Sequence, residues 1–155
     1  AKGGDPIVSD AARGFAIGRA VDMTGVDGRG AEVLLVATGV TTTEAVAAVA
    51  ALAADGIRCR LLHLHTVKPI DRQALLEAAA AARLVVTVEE HTLPGGLGSA
   101  VLEVLADGDV RAPRVRLLGI PDRFSDRYGS QAELMAACGI DADGIQRAVR
   151  AGLTT

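Results

Sequence analysis

The feature that most constrains this chain is an alternation of strand-like and helix-like segments. Three apolar runs, Glu32–Thr38, Ile57–Leu64 and Leu84–Glu89, are each followed by a segment with helical periodicity. Runs lacking a polar alternation suit strands covered on both faces. Strands separated by helices require right-handed crossovers, which make them parallel. Outer strands are expected at Phe15–Met23 and Val115–Leu118, so the order reads β, βα, βα, βα, β, αα. The expected fold is a three-layer α/β/α domain with at least four parallel strands and a first strand free to lie antiparallel at an edge.

Helix boundaries follow from capping chemistry. Thr41-Thr42-Thr43-Glu44 has the spacing of a capping box, and the helix it opens should stop at Asp55-Gly56. Asp71, just after Pro69, is a plausible N-cap for a helix carrying Leu75, Leu76 and Ala79. Gly95-Gly96-Leu97-Gly98 leads into a helix with Ala100, Val101, Val104 and Leu105 on one face. Ser130-Gln131-Ala132-Glu133 forms a second capping box, with Gly139 as its stop, and Asp141 caps a last helix through Val149. Asp27–Gly30 reads as a turn and Gly119–Gly129 as a polar loop. Residues 1–14 read as a linker, because Ala1-Lys2-Gly3-Gly4-Asp5-Pro6 is polar and Gly-rich; residues 15–152 read as the domain.

Composition excludes several classes. Half of the 155 residues are hydrophobic, but only 2% are aromatic, so the core must be built from Ala, Val, Leu and Ile. A net charge of −3 argues against a dedicated nucleic-acid binder. The longest apolar run, Ala45–Ala54, is too short to span a bilayer, so no membrane partner is expected. Cys59 and Cys138 stand far apart and outside CxxC spacing, which suits neither a disulfide framework nor a zinc site. A reduced, cytoplasmic protein is the expectation.

Four places could carry chemistry or contacts. Gly96-Leu97-Gly98 follows a strand and opens a helix, where free N–H groups could hold a phosphate. The third glycine of a dinucleotide fingerprint is replaced by Val101, so a tight strand–helix turn is the competing reading. Glu89, Glu90 and His91 end a strand and suit either acid–base work or the capping of backbone groups, and at most two of them can converge. His63 and His65 share a strand face, but a metal would need further ligands, which His91 and Glu89 could supply only from another strand end. In Pro121-Asp122-Arg123-Phe124, a loop aromatic beside an Arg either meets a partner or folds back under its own loop.

The run Val86-Thr87-Val88-Glu89-Glu90-His91-Thr92-Leu93-Pro94-Gly95-Gly96-Leu97-Gly98-Ser99-Ala100-Val101 closely resembles the C-terminal domain of the transketolase family of thiamine diphosphate enzymes. His65-Thr66-Val67-Lys68-Pro69-Ile70-Asp71, the segment Gly119–Phe124, Gly129-Ser130 and Leu134 through Ile145 extend the resemblance from about Gly18 to Val149. The form is most like the C-terminal subunit of split transketolases and is also similar to deoxyxylulose-phosphate synthase. 2-oxoacid dehydrogenase β subunits are similar in fold. The resemblance implies a five-stranded mixed sheet with its first strand antiparallel. It further implies two-carbon ketol transfer by a parent assembly that holds thiamine diphosphate and Mg²⁺ on N-terminal pyrophosphate and pyrimidine domains or subunits, usually as a homodimer. This chain is expected to bind neither group alone. Asp107-Gly108-Asp109 lacks the leading Gly and the later Asn of the metal–diphosphate motif. No catalytic, cofactor-binding or metal residue carries over, and the role expected here is structural. The alternatives are the C-terminal domain of a deoxyxylulose-phosphate synthase or of a 2-oxoacid dehydrogenase β-type subunit, or a module that docks a partner or carrier. The residues expected at interfaces are Glu89, Glu90, His91, Gly95, Gly96, Gly98, Asp122, Arg123 and Phe124.

Overall fold

The computed structural model describes residues 11–24, 30–109 and 113–154. In chain order the elements are β1 (Val21–Asp22), β2 (Val33–Ala37), α1 (Thr41–Ala54), β3 (Cys59–His63), α2 (Arg72–Ala79), β4 (Leu84–Thr92), α3 (Leu97–Asp107), β5 (Arg114–Ile120), α4 (Gln131–Cys138) and α5 (Ala142–Thr154). The sheet order is β1-β3-β2-β4-β5, with β1 antiparallel to β3 and every other pairing parallel. This is the expected five-stranded, mostly parallel sheet in three layers.

The apolar runs become the central strands because both of their faces are covered. Val33, Leu35, Val86 and Val88 point toward α1 and α5, where Ala45, Ala48, Leu52, Ile145 and Val149 meet them. Leu34, Val36 and Val85 point the other way, onto Leu75 of α2 and Leu97, Val101 and Val104 of α3. The crossover after β2 runs to β3 on one side, and the crossover after β4 runs to β5 on the other. The crevice at the carboxyl ends of β2 and β4 is therefore the topological switch point, where open α/β sheets gather their functional groups.

Three expectations at the element ends change. The first strand is only two residues long, not Phe15–Met23. Gly14 and Gly18 sit at φ +72° and +76°, which breaks the extended run, and Phe15 and Ile17 lie exposed. The Thr41–Glu44 capping box does not form; the N-cap is Val40 and lacks a side-chain hydrogen bond. Thr41 is buried, and its hydroxyl faces the carbonyls of Thr38 and Val88 at 2.8 and 2.9 Å. Glu44 reaches across to accept from the backbone N–H of Ala142, capping α5 rather than its own helix. The last helix runs on to Thr154. The turn expected at Asp27–Gly30 lies outside the described residues except for Gly30, and so do residues 1–10 of the expected linker.

The Ser130 capping box, the Asp141 cap and the Asp71 cap all form. Asp71 has a second task. Oδ1 accepts from Ala74 N–H in the first turn of α2, while Oδ2 accepts from Ala20 N–H at 2.9 Å. One buried carboxylate thus pins the incoming chain to the start of α2. Replacing an N-cap acid by Ala costs about 1 kcal/mol, and the second bond adds to that. Asp71→Ala should lower stability by about 2 kcal/mol in urea denaturation and speed proteolysis between residues 13 and 20. Unchanged cleavage there would show that Asp71 caps α2 and nothing more.

Candidate functional site

The carboxyl end of β4 carries the densest polar cluster. Glu89 is completely buried. Its Oε2 accepts from Leu97 N–H at 2.6 Å and its Oε1 from Gly98 N–H at 2.8 Å. These are two of the free donors in the first turn of α3, where the helix dipole favours an anion. Glycine is required around this carboxylate. A Cβ on Gly96 would lie 2.0 Å from Oε2, and one on Gly119 would lie 3.2 Å from Glu89 Cγ and 2.8 Å from Leu93 Cδ2. Gly98 lets α3 approach the sheet, since its Cβ would stand 2.9 Å from Leu117 and 3.0 Å from Thr87 Oγ1. Gly95 turns the chain at φ +77°, with its N–H donating to Ser99 Oγ.

The three neighbours at the strand end diverge. Glu89 turns inward, and both oxygens of Glu90 accept from Gln131 Nε2 on α4, at 2.8 and 2.9 Å. The exposed His91 places Nδ1 4.0 Å from Glu89 Oε2, beyond hydrogen-bond reach. An acid–base pair needs a carboxylate that a substrate can touch; Glu89 has no exposed surface and both of its oxygens are engaged. Glu89 therefore caps backbone N–H groups of α3, and Glu90 holds a side-chain amide of α4. The glycine-rich turn does not fit a pyrophosphate either, because its N–H groups already hold the chain's own carboxylate.

His63 and His65 do share one side of the β3 end, with ring centroids 5.7 Å apart, and Phe15 stacks on His65 at 4.2 Å. His63 Nδ1 and His65 Nε2 are buried without a hydrogen-bond partner. Glu89 and His91 cannot complete a metal set, because β2 stands between β3 and β4. Among the described residues no group of three or more His, Cys, Asp or Glu side chains could hold a metal. Burial, reinforced by the neighbouring His65, pushes the His63 pKa down. The Cys59 thiol is pushed up to about 12, first by burial and then by the Glu32 charge. Thiolate is the nucleophilic form, so the half-buried Cys59 is held as the thiol at neutral pH.

The loop after β5 presents Asp122, Arg123 and Phe124 to solvent. Phe124 is 101% exposed, so it does not fold back under its loop. Tyr128, which the sequence reading passed over, is 103% exposed four residues later. The signal was available, since two of the chain's three aromatic residues fall within one polar loop. Gln131 and Glu44 were also missed as structural partners, because their contacts join segments far apart in sequence.

Comparison with known proteins decides the family. The model for "Transketolase, C-terminal domain" matches residues 23–145. The chain belongs to the transketolase C-terminal domain family. It is 46% identical over 124 residues to 1-deoxy-D-xylulose-5-phosphate synthase 1 of Geobacter sulfurreducens, covering 80% of this chain and 19% of that protein. It is 52% identical over 103 residues to the Bordetella pertussis 1-deoxy-D-xylulose-5-phosphate synthase, covering 66% of this chain and 16% of that one. A solved split gene transketolase, described as an inactive β4 tetramer, superposes with a TM-score of 0.85 at 36% identity, over 97% of this chain and 47% of the other. Campylobacter jejuni transketolase shares the fold at 12% identity, with a TM-score of 0.60 over 96% of this chain and 20% of the other. The chain spans about a fifth of the curated relatives it matches.

Two outcomes follow for this transketolase C-terminal domain. Hydrogen bonds to a buried charge are worth about 1.5–3 kcal/mol each, so Glu89→Ala should cost about 3–5 kcal/mol in chemical denaturation, and Glu89→Gln less, because it keeps an acceptor. Equal losses for the two would show that side-chain volume matters rather than the bonds. For His63 the folded-state pKa lies below the unfolded one, so the unfolded chain binds more protons in that window. Its contribution is intact above the unfolded value, near 6.5, and fades as pH falls below it. Melting temperature should drop from pH 7 toward pH 5, with a shallower slope in His63→Asn; identical slopes would remove His63 from the account.

Proposed function

We propose that this chain is the C-terminal assembly domain of a thiamine-diphosphate-dependent enzyme that moves two-carbon ketol units between sugar phosphates. Residues 15–152 form the packing unit, and residues 1–14 lead into it. The chemistry belongs to companion N-terminal pyrophosphate and pyrimidine domains, which hold thiamine diphosphate and Mg²⁺; the assembly works as a homodimer in the cytoplasm. The observation that carries this reading is Glu89. The start of α3, built like a phosphate cradle, is closed by an internal carboxylate. What the domain supplies is rigidity, which matters when small displacements misalign a site shared between chains. Glu90, His91, Gly95, Gly96 and Gly98 shape the switch-point edge that would meet those companions.

A second reading concerns the reaction. The 46–52% identity to deoxyxylulose-phosphate synthases, against 36% to the split transketolase, favours a parent that forms 1-deoxy-D-xylulose 5-phosphate. One experiment addresses both. The chain is assayed alone, and then mixed with its companion N-terminal chains, thiamine diphosphate and Mg²⁺, using a ketose or a 2-oxoacid as donor. Turnover is expected only in the mixture, and the preferred donor assigns the reaction. Turnover by the chain alone would overturn the assembly role.

A further inference from the structure

We propose that the hollow between α4 and the loop after β5 is a binding site for a small aliphatic monocarboxylate. The inference goes beyond the assembly role and needs nothing from a companion chain. Ile120 ends β5, and Leu134, Ala137 and Cys138 stand at i, i+3 and i+4 on α4, so these three share one helix face. They supply an apolar lining to a hollow of about 180 Å³. Arg123, Asp126 and Arg127 line the same hollow from the loop. Ser125 holds the backbone that carries them: its hydroxyl accepts from Arg127 N–H at 3.2 Å and donates to the Arg127 carbonyl at 2.9 Å. Among the described residues neither guanidinium makes a hydrogen bond or ion pair, and neither does the Asp126 carboxylate.

Charge and size select the ligand. Two guanidinium groups and one carboxylate leave the lining with a single net positive charge. One negative charge balances it. A phosphate dianion exceeds it and meets Asp126, and an amine meets two like charges. The planar fork of a guanidinium matches the two oxygens of a carboxylate. The apolar lining calls for a hydrocarbon stem behind that head. The hollow holds about six water-sized volumes, well below the roughly 300 Å³ at which cofactor and drug-sized pockets begin. A head with a stem of about four carbons fills it, whereas a nucleotide or a sugar phosphate is too large.

Titration of the full chain with sodium pentanoate, followed by backbone amide NMR, tests this without any assay of ketol transfer. Saturable shifts are expected at Ile120, Leu134, Ala137 and Cys138. Butanoate, one methylene shorter, should bind about fourfold more weakly, and pentylamine should not bind. Arg123→Gln and Arg127→Gln should each weaken pentanoate by about tenfold. Asp126→Asn should tighten it, because a like charge leaves the lining. Arg116→Gln, on β5 and outside the hollow, should change nothing. Arg123, Asp126 and Arg127 are exposed, and circular dichroism checks that their variants keep the fold. Absence of saturable shifts would overturn the proposal. So would inorganic phosphate binding as tightly as pentanoate, which would mark a general anion patch, or an Asp126→Asn chain that binds no more tightly. A peptide ending in leucine that binds more tightly than pentanoate would also overturn it, by assigning the carboxylate to a protein chain.

Discussion

Removing a carboxylate from water is costly unless its lone pairs are met by well-placed donors, and Glu89 is removed completely. The first turn of α3 meets the need with two backbone N–H groups. Much of the local sequence follows from that pairing. Gly96 must lack a side chain because the carboxylate occupies its Cβ position, and Gly119 must lack one because the stem of Glu89 and Leu93 press on β5. Gly98 brings the same helix down onto Thr87 and Leu117. The bond ties β4, the central axis of the parallel pairing, to the helix that covers one face of the sheet. The glycine-rich turn is therefore a packing device, although its pattern is the one that binds phosphate elsewhere.

The same logic recurs at the other polar junctions. Asp71 holds the incoming segment and the start of α2 with one carboxylate. Glu44 leaves its own helix to cap α5, and Glu90 takes the amide of Gln131 on α4. Each acid serves a backbone or side-chain donor of a different element. At the switch-point edge, Glu89 joins β4 to α3 and Glu90 joins it to α4.

What was legible in the sequence was what depends on local periodicity. The β-branched runs at Glu32–Thr38 and Leu84–Glu89, the Ser130 box and the Asp71 and Asp141 caps depend on neighbours within a few residues; each forms, although β4 runs past Glu89 to Thr92, through residues expected to begin a loop. The Thr41–Glu44 box fails for a reason no local pattern carries: Thr41 is buried against β2 and β4, and Glu44 faces a helix 98 residues later. The first strand fails because glycines at left-handed φ interrupt it, although its hydrophobic alternation suggested a longer strand. At the candidate site, the chain could not show which of Glu89, Glu90 and His91 turns inward. That choice depends on the position of the α3 amides, a tertiary fact. The family resemblance supplied the antiparallel first strand, which periodicity alone left open.

Glu89 and Asp71 are buried and held by internal donors, while Phe124 and Tyr128 lie in solvent. Catalysis requires groups left incompletely satisfied at a concave site until a substrate arrives. Here the concave, donor-rich place is satisfied from within by Glu89. Phe124 and Tyr128, in the loop after β5, are fully exposed. Apolar rings held in water are stabilised by burial against another surface.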